Sequence, residues 1–286
     1  MKLITPYASG NEIPNVTIRH FPDTESYVQI PQIKSLKNKR KNKKVIIHHA
    51  LYPEPDKRIF ELLLILSLVR KETKHIELFI PYLPYARQDR ASKTGEAVSA
   101  DILCKLLKAH GVKKLITYDC HFLYGPGNFT RCGLKIKNLS AGKILYKEAK
   151  KYFREKFVVI SPDESASYFT ENAQGHSLKK VRKASKDTGI GTGIHAEVDT
   201  MEGEIDVKGK NICIMDDMIS TGGTMIRAIK HLKKLGAKRI IVGATHGIFA
   251  GENIAKKILK SGCKHIFITD SIKNPGQKEI KILYII

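Results

Sequence analysis

The stretch that most constrains the fold is Asn211-Ile-Cys-Ile-Met215, followed by Asp216-Asp217-Met-Ile-Ser220-Thr221-Gly222-Gly223-Thr224. A short, wholly apolar run of this kind reads as a central parallel strand, buried on both faces. From Met225 to Leu235, Ile226, Ile229, Leu232 and Leu235 fall at every third position, which predicts a helix with one apolar face that stops at Gly236. Strand, turn and helix together bring backbone N–H groups and hydroxyls to a helix N-terminus, where the macrodipole favours an anion. Gly222 and Gly223 allow close backbone approach, and Ser220, Thr221 and Thr224 add hydroxyl donors. Phosphate is the expected guest. Asp216 and Asp217 would repel it, so they suit sugar hydroxyls or a divalent cation beside it. A strand end and a plain turn would explain the aspartates or the glycines separately, but not the whole series in this order.

The chain has 286 residues, 42% of them hydrophobic, enough for one large or two moderate domains with buried cores. Its net charge of +22, from 50 Lys and Arg against 28 Asp and Glu, suits either nucleic acid or small polyanionic substrates. The densest basic run, Lys34 to Lys44, has seven basic residues and no interleaved aromatics to stack on bases, so it reads as a solvated loop. No nucleic-acid recognition motif accompanies the charge. The five cysteines form no CxxC pair and no signal peptide precedes them, which predicts reduced thiols in a cytoplasmic protein. The longest apolar run, around Phe60 to Val69, is too short to span a bilayer, and no membrane partner is expected.

Taken in order, the chain alternates strands and helices. Thr17 to Phe21 and Ser26 to Ile30 suit a hairpin, Val45 to His49 a strand, Arg58 to Arg70 a helix and Ile76 to Ile80 the next strand. The prolines of Pro81-Tyr-Leu-Pro84-Tyr-Ala-Arg87-Gln88-Asp89-Arg90 stiffen an extended loop. The fork of Arg87 suits a triphosphate and the amide of Gln88 a purine edge, although such clusters are often plain surface ion pairs. A helix over Ser99 to His110 and a strand over Lys114 to Thr117 lead to Asp119-Cys120-His121, and a strand over Phe157 to Ile160 ends in Ser161-Pro162-Asp163. A His and an Asp at strand ends could share Mg²⁺ with substrate phosphates and water. Next are a helix over Ala166 to Gln174, the basic Lys179-Lys180-Val181-Arg182, and a glycine-bearing flap over Ala184 to Ile194. Beyond the central stretch come a strand over Arg239 to Ala244, the run Thr245-His246-Gly247-Ile248-Phe249, a helix over Glu252 to Ser261 and strands over His265 to Thr269 and Glu279 to Ile285. The rhythm predicts an α/β fold of two domains, 1–138 and 139–286, each with a mainly parallel sheet flanked by helices and with the catalytic cleft between them.

Taken together, the 81–90 loop, Asp119-Cys-His121, Ser161-Pro-Asp163, Lys180-Val-Arg182, the Asp216 to Thr224 loop and Thr245 to Phe249 resemble the ribose-phosphate pyrophosphokinase family, built from phosphoribosyltransferase-like domains. The resemblance covers almost the whole chain. It implies transfer of the diphosphoryl group of ATP to the C1 hydroxyl of ribose 5-phosphate, giving 5-phosphoribosyl diphosphate and AMP for nucleotide biosynthesis. It implies Lys180 and Arg182 as catalytic residues on the flap, and Phe21, Asp23, Thr24, Glu25, Arg87, Gln88 and Asp89 as ATP-binding. Arg182, Asp216, Asp217, Ser220, Thr221, Gly222, Gly223 and Thr224 would bind ribose 5-phosphate, and His121 and Asp163 would associate with the cofactor Mg²⁺. It also implies a homo-oligomer, dimeric or higher, in which the Phe21 to Glu25 segment serves the ATP of a neighbouring subunit. The chain departs from the common pattern in having Thr24 for a glycine, Ser220 for a frequent Asp and Glu164-Ser165-Ala166 after Asp163. Ser92-Lys-Thr-Gly95-Glu96 follows the archaeal-type pattern. Two other readings share these motifs: a phosphoribosyltransferase that consumes 5-phosphoribosyl diphosphate, and a catalytically silent regulatory subunit.

Overall fold

A computed structural model describes residues 1–36, 44–162, 166–171, 176–181, 200–202, 205–273 and 279–285. The chain forms two compact units: Met1–Ser140 with Asp270–Lys273 and Tyr284–Ile286, and Ala141–Thr269 with Asn274–Leu283. Both are α/β units with a mainly parallel sheet. No helix among the described residues is long and apolar enough to cross a membrane.

In the first unit the elements are β1 (Lys2–Ile4), β2 (Thr17–His20), β3 (Ser26–Gln29), β4 (Val45–His48), α1 (Pro55–Val69), β5 (Ile76–Phe79), α2 (Ser99–Ala109), β6 (Val112–Tyr118), β7 (Gly127–Arg131) and β8 (Leu134–Leu139). The main sheet runs β1-β4-β5-β6-β8-β7; β7 alone is antiparallel, pairing with β8, while β2 and β3 form a separate hairpin. Leu62, Ile65, Leu66 and Val69 of α1 and Leu103, Cys104 and Leu107 of α2 are buried in one core with Val45, Ile47, Leu78 and Leu115 of the strands. These helix positions repeat at three and four, as one stripe of an amphipathic helix must.

The β7–β8 hairpin has no counterpart in the sequence reading. Its signal is a plain alternation, with Leu134 and Ile136 buried and Lys135 and Lys137 exposed. The turn residues Cys132 and Gly133 both have positive φ, 48° and 73°, the geometry of a tight two-residue hairpin whose twist suits the strands.

In the second unit follow α3 (Gly142–Phe153), β9 (Phe157–Ser161), α4 (Tyr168–Glu171), β10 (His176–Ser177), β11 (Lys179–Val181), β12 (Thr200–Glu202), β13 (Asn211–Ile219), α5 (Gly223–Lys234), β14 (Arg239–Gly247), α6 (Ile254–Lys260), β15 (Cys263–Thr269) and β16 (Ile280–Leu283). The sheet order is β10-β9-β13-β14-β15-β16, parallel throughout, with β11 and β12 paired apart from it. Gly243 and Phe267 are register partners in β14 and β15, and a Cβ on Gly243 would fall inside the Phe267 ring's van der Waals surface. Glycine there makes room for the fully buried ring beside the neighbouring strand.

Several boundaries differ from expectation. The strand expected to end at Met215 continues to Ile219 because β14 pairs with it as far as Gly247, so Asp216 and Asp217 lie within a buried strand. The helix expected from Met225 starts at Gly223, since the left-handed Gly222 turns the chain into it. Of the helix expected over Ala166 to Gln174, Tyr168–Glu171 is helical and 172–175 lie outside the described residues. The final strand ends at Leu283, and the tail returns to the first unit, where Ile285 N–H donates to Asp270 Oδ1 at 2.8 Å and the Tyr118 hydroxyl donates to the Ile285 carbonyl at 3.3 Å.

One buried polar group gives the first unit a pH dependence. His49 is fully buried, with Nε2 2.9 Å from the Arg58 carbonyl and Nδ1 3.0 Å from the Thr5 hydroxyl. The carbonyl needs an N–H donor, so Nε2 carries the proton, and in the neutral ring Nδ1 accepts from the Thr5 hydroxyl. Burial pushes its pKa from 6.5 down to about 4. The unfolded chain therefore takes up a proton that the folded chain refuses, and stability falls as pH drops from about 6.5 to about 4, by at most about 1.4 kcal/mol per pH unit for one group. His49→Gln should narrow the difference between urea unfolding free energies at pH 7 and pH 4.5; an unchanged difference would assign the acid sensitivity elsewhere.

Candidate active site

In the second unit the site is built on β13. All nine of its residues are buried, and Asp216 and Asp217 are 6% and 5% exposed. Asp217 N–H donates to Asp216 Oδ1 at 2.9 Å, which fixes one carboxylate relative to the main chain. Ser220 is half-buried, Thr221 exposed, and Gly222 takes φ 77° as the residue before α5. The first intrahelical bond runs from Ile226 N–H to the Gly222 carbonyl at 2.9 Å, so the N–H groups of Gly223, Thr224 and Met225 belong to the turn without intrahelical acceptors. These N–H groups lie at the positive end of the α5 macrodipole, a geometry that suits an anion.

Two supports of this loop were not read from the sequence. Ile248 and Phe249 N–H both donate to the Ile219 carbonyl, at 3.0 and 3.1 Å, and Ala250 N–H donates to the Ser220 carbonyl at 3.2 Å. The Thr245 to Phe249 run thus backs the phosphate loop through its backbone. The second is Arg227, one turn into α5. A Cβ on Gly223 would lie 3.5 Å from its Nη1, and its buried Nε has no hydrogen-bond partner among the described residues. A guanidinium beside the positive end of a helix is disfavoured until an anion joins it. The sequence signal was an Arg four residues after the second glycine.

The flap is described only at its base. Lys180 lies on β11, opposite Met201 of β12 in an antiparallel pair, and Leu178 N–H donates to the Ser161 carbonyl at 2.9 Å. The base of the flap is therefore rooted beside the end of β9. Arg182, Asp163 and the flap expected over Ala184 to Ile194 lie outside the described residues.

In the first unit three segments hold the other candidate residues. Phe21, Asp23, Thr24 and Glu25 form the exposed tip of the β2–β3 hairpin, closed by Phe21 N–H to the Glu25 carbonyl and Thr24 N–H to the Phe21 carbonyl, both at 2.9 Å. The strand pair next to the tip, His20 and Ser26, is tied to α1 by a buried carboxylate. Glu61 is fully buried and accepts two bonds from Arg58 Nη1, at 3.0 and 2.8 Å, one from His20 Nε2 at 2.8 Å and one from Ser26 at 3.3 Å. A change that removed Arg58 would take away two of the four bonds to this buried carboxyl group, a loss of about 1–3 kcal/mol.

Arg87 is exposed, and Gln88 and Asp89 are half-buried. Gln88 Nε2 donates to the Arg90 carbonyl at 3.1 Å and approaches Glu96 Oε2 at 3.4 Å; that oxygen also accepts Ser92 N–H at 2.7 Å and Lys93 N–H at 3.1 Å. The Ser92 and Lys93 N–H groups hold the Glu96 carboxyl below the usual carboxylate range. His121 is half-buried, two residues beyond Asp119, which has φ 33° and donates its N–H to the Leu139 carbonyl at 2.8 Å. Asn138 pins the loop that follows, accepting Cys120 N–H at 3.0 Å and donating to the Gly125 carbonyl at 2.7 Å.

Among the described residues no group of three or more His, Cys, Asp or Glu is placed to hold a metal ion. Mg²⁺ prefers oxygen donors and keeps several waters, binding through one or two carboxylates plus substrate phosphates. The paired carboxylates of Asp216 and Asp217 fit that chemistry.

The left-handed φ of Gly222, and a Cβ position only 2.8 Å from Ile254 Cγ2, make this the least replaceable residue of the loop. Gly222→Ala should cost about 1–3 kcal/mol in urea unfolding. It should also shrink the rise in melting temperature that inorganic phosphate gives the unmodified chain. A variant of unchanged stability and phosphate response would show that the loop tolerates a side chain there.

Residues 6–111 match the N-terminal domain of ribose phosphate pyrophosphokinase, and residues 136–277 match the phosphoribosyl transferase domain. The ribose-phosphate pyrophosphokinase of Thermococcus kodakarensis is 32% identical over 278 residues, covering 93% of this chain and 89% of its own. That of Sulfurisphaera tokodaii is 34% identical over 275 residues, covering 93% and 88%. The crystal structure of phosphoribosylpyrophosphate synthetase from Mycobacterium smegmatis, 23% identical, superposes with a TM-score of 0.75 over 100% of this chain and 94% of that one, so the two share a fold. With both domains matched in order over spans that include the 81–90 loop and the strand–turn–helix around Asp216 to Thr224, the chain belongs to the ribose-phosphate pyrophosphokinase family.

Proposed function

We propose that the chain transfers the β,γ-diphosphoryl group of ATP to the C1 hydroxyl of ribose 5-phosphate, releasing AMP. The observation that carries this reading is the presence in one chain of the β13 phosphate loop and the Arg87–Gln88 loop, within a span that aligns with named pyrophosphokinases over 93% of its length. A phosphoribosyltransferase that consumes the product would need only the first of these loops.

In this reaction the C1 oxygen attacks the β-phosphorus in line, the bond from that phosphorus to the oxygen bridging to the α-phosphate breaks, AMP leaves with the bridging oxygen, and the hydroxyl proton is lost. Catalysis of this kind is positioning plus stabilisation of charge. The 5-phosphate is assigned to Ser220, Thr221, Gly222, Gly223 and Thr224, which lie at the start of α5, and the ribose hydroxyls to Asp216 and Asp217. Arg87 and Gln88 are assigned to ATP, with Asp89 and, from a neighbouring subunit of a homodimer or larger assembly, Phe21, Asp23, Thr24 and Glu25. The exposure of all four tip residues is compatible with that partnership. Lys180 and Arg182 are assigned to the oxygens of the transferring group, and His121 and Asp163 to Mg²⁺. When bound, the cation neutralises charge on the phosphates. A cytoplasmic location and the division of labour between an ATP-binding domain, 1–138, and a ribose 5-phosphate domain, 139–286, belong to the same proposal.

Incubation with ATP, Mg²⁺ and ribose 5-phosphate should yield AMP and 5-phosphoribosyl diphosphate in equal amounts, without ADP, as read by anion-exchange chromatography. Absence of AMP from a preparation that still binds ribose 5-phosphate would favour the silent-subunit reading. Lys180→Ala should lower turnover by a factor on the order of a hundred or more while leaving ribose 5-phosphate affinity nearly unchanged. Equal turnover would remove Lys180 from the catalytic set.

A further inference from the structure

Arg131 is the last residue of β7, immediately before the tight turn at Cys132 and Gly133, so the hairpin fixes where its side chain starts. Three groups meet its guanidinium. Nη2 donates to the Asp89 carbonyl at 2.6 Å, Nε donates to Asp101 Oδ1 at 2.7 Å, and the guanidinium carbon lies 4.4 Å from the centre of the Phe122 ring. Asp89 ends the Arg87-Gln88-Asp89 run, Asp101 lies in the first turn of α2, and Phe122 directly follows His121. The side chain is 21% exposed, so it is clamped rather than waving in solvent.

Few groups could make these contacts together. The planar guanidinium donates from its edge to a carbonyl and a carboxylate while offering its face to an aromatic ring. Each contact lands on a different segment, and two of those segments carry residues assigned above to ATP and Mg²⁺. The Gln88 carbonyl also accepts Ala100 N–H at 3.2 Å, so the start of α2 is already bound to the loop that Arg131 holds. On the other side, Asn138 of β8 holds Cys120 and Gly125, the ends of the segment that contains Phe122. The edge hairpin thus grips both loops, β8 through Asn138 and β7 through Arg131.

We propose that Arg131 is a positioning residue that locks the Arg87–Asp89 loop to the His121–Phe122 segment, setting the distance between the groups that hold the nucleotide and its cation. The proposal rests on the assignment of these segments to ATP and Mg²⁺, but the lock itself can be read without activity.

The test uses the full chain with Arg131→Met, which keeps bulk and loses both donors, and Arg131→Lys, which keeps charge but cannot satisfy both acceptors and the ring in one geometry. Hydrogen–deuterium exchange should quicken in Arg131→Met in peptides covering residues 85–92 and 119–125 together, while peptides of β13 and α5 stay as in the unmodified chain. Faster exchange confined to the β7–β8 hairpin, or spread over the whole first unit, would overturn the lock. In steady-state assays KM for ATP should rise roughly tenfold in Arg131→Met, with KM for ribose 5-phosphate within about twofold, because displaced binding groups weaken the ligand they serve. Arg131→Lys should recover only part of the loss. Equal changes in both KM values, or full recovery by lysine, would overturn the positioning role. If the unmodified chain forms no AMP, the assignment of function fails, and the exchange pattern still decides whether Arg131 joins the two segments.

Discussion

The arrangement of the second unit depends on one constraint, the burial of β13 on both faces between β9 and β14. A parallel strand covered by helices on each side has no polar surface except at its ends, so chemistry collects where it leaves the sheet. Here the exit includes two buried carboxylates, a left-handed glycine and the first turn of α5, whose N–H groups have no intrahelical acceptors. The neighbouring exit of β14 supplies Ile248, Phe249 and Ala250 N–H groups to the same turn. The loop is therefore tied to the sheet through its backbone.

The first unit solves a different problem with different means. Its candidate residues lie on a hairpin tip, a proline-stiffened loop and a turn with positive φ. Each is anchored by a polar group reaching across: Glu61 for the hairpin, Glu96 for the 88–96 loop, Asn138 and Arg131 for the turn around His121. Glu61, Asn138 and Arg131 are buried or half-buried and satisfied, which makes them sensitive points, since removing one partner leaves the other uncompensated, whereas Glu96 does its work from an exposed position. The net charge of +22 in a protein assigned to phosphorylated substrates follows the same logic at long range, drawing anions toward the chain.

The sequence by itself determined the α/β class, the strand–turn–helix around Asp216 to Thr224 and the β2–β3 hairpin, because each has a local signal: an apolar run, an apolar period of three to four, or two extended segments about a polar turn. It also identified the segments that carry the candidate site, since proline, glycine and clustered polar residues mark strand ends without help from distant contacts. The β7–β8 hairpin and α3 were present in the same signals, as alternation at Leu134 to Leu139 and as Leu145, Ala149 and Phe153 four apart, and went unread. Only the tertiary structure decided what holds the segments in place. That β13 runs on to Ile219 depends on β14 pairing beside it; that Arg131 meets Asp89 and Phe122 depends on which strand lies at the sheet edge. Strand order and the side chains that bridge distant segments are set by long-range burial and pairing, and neither leaves a periodic trace in the chain.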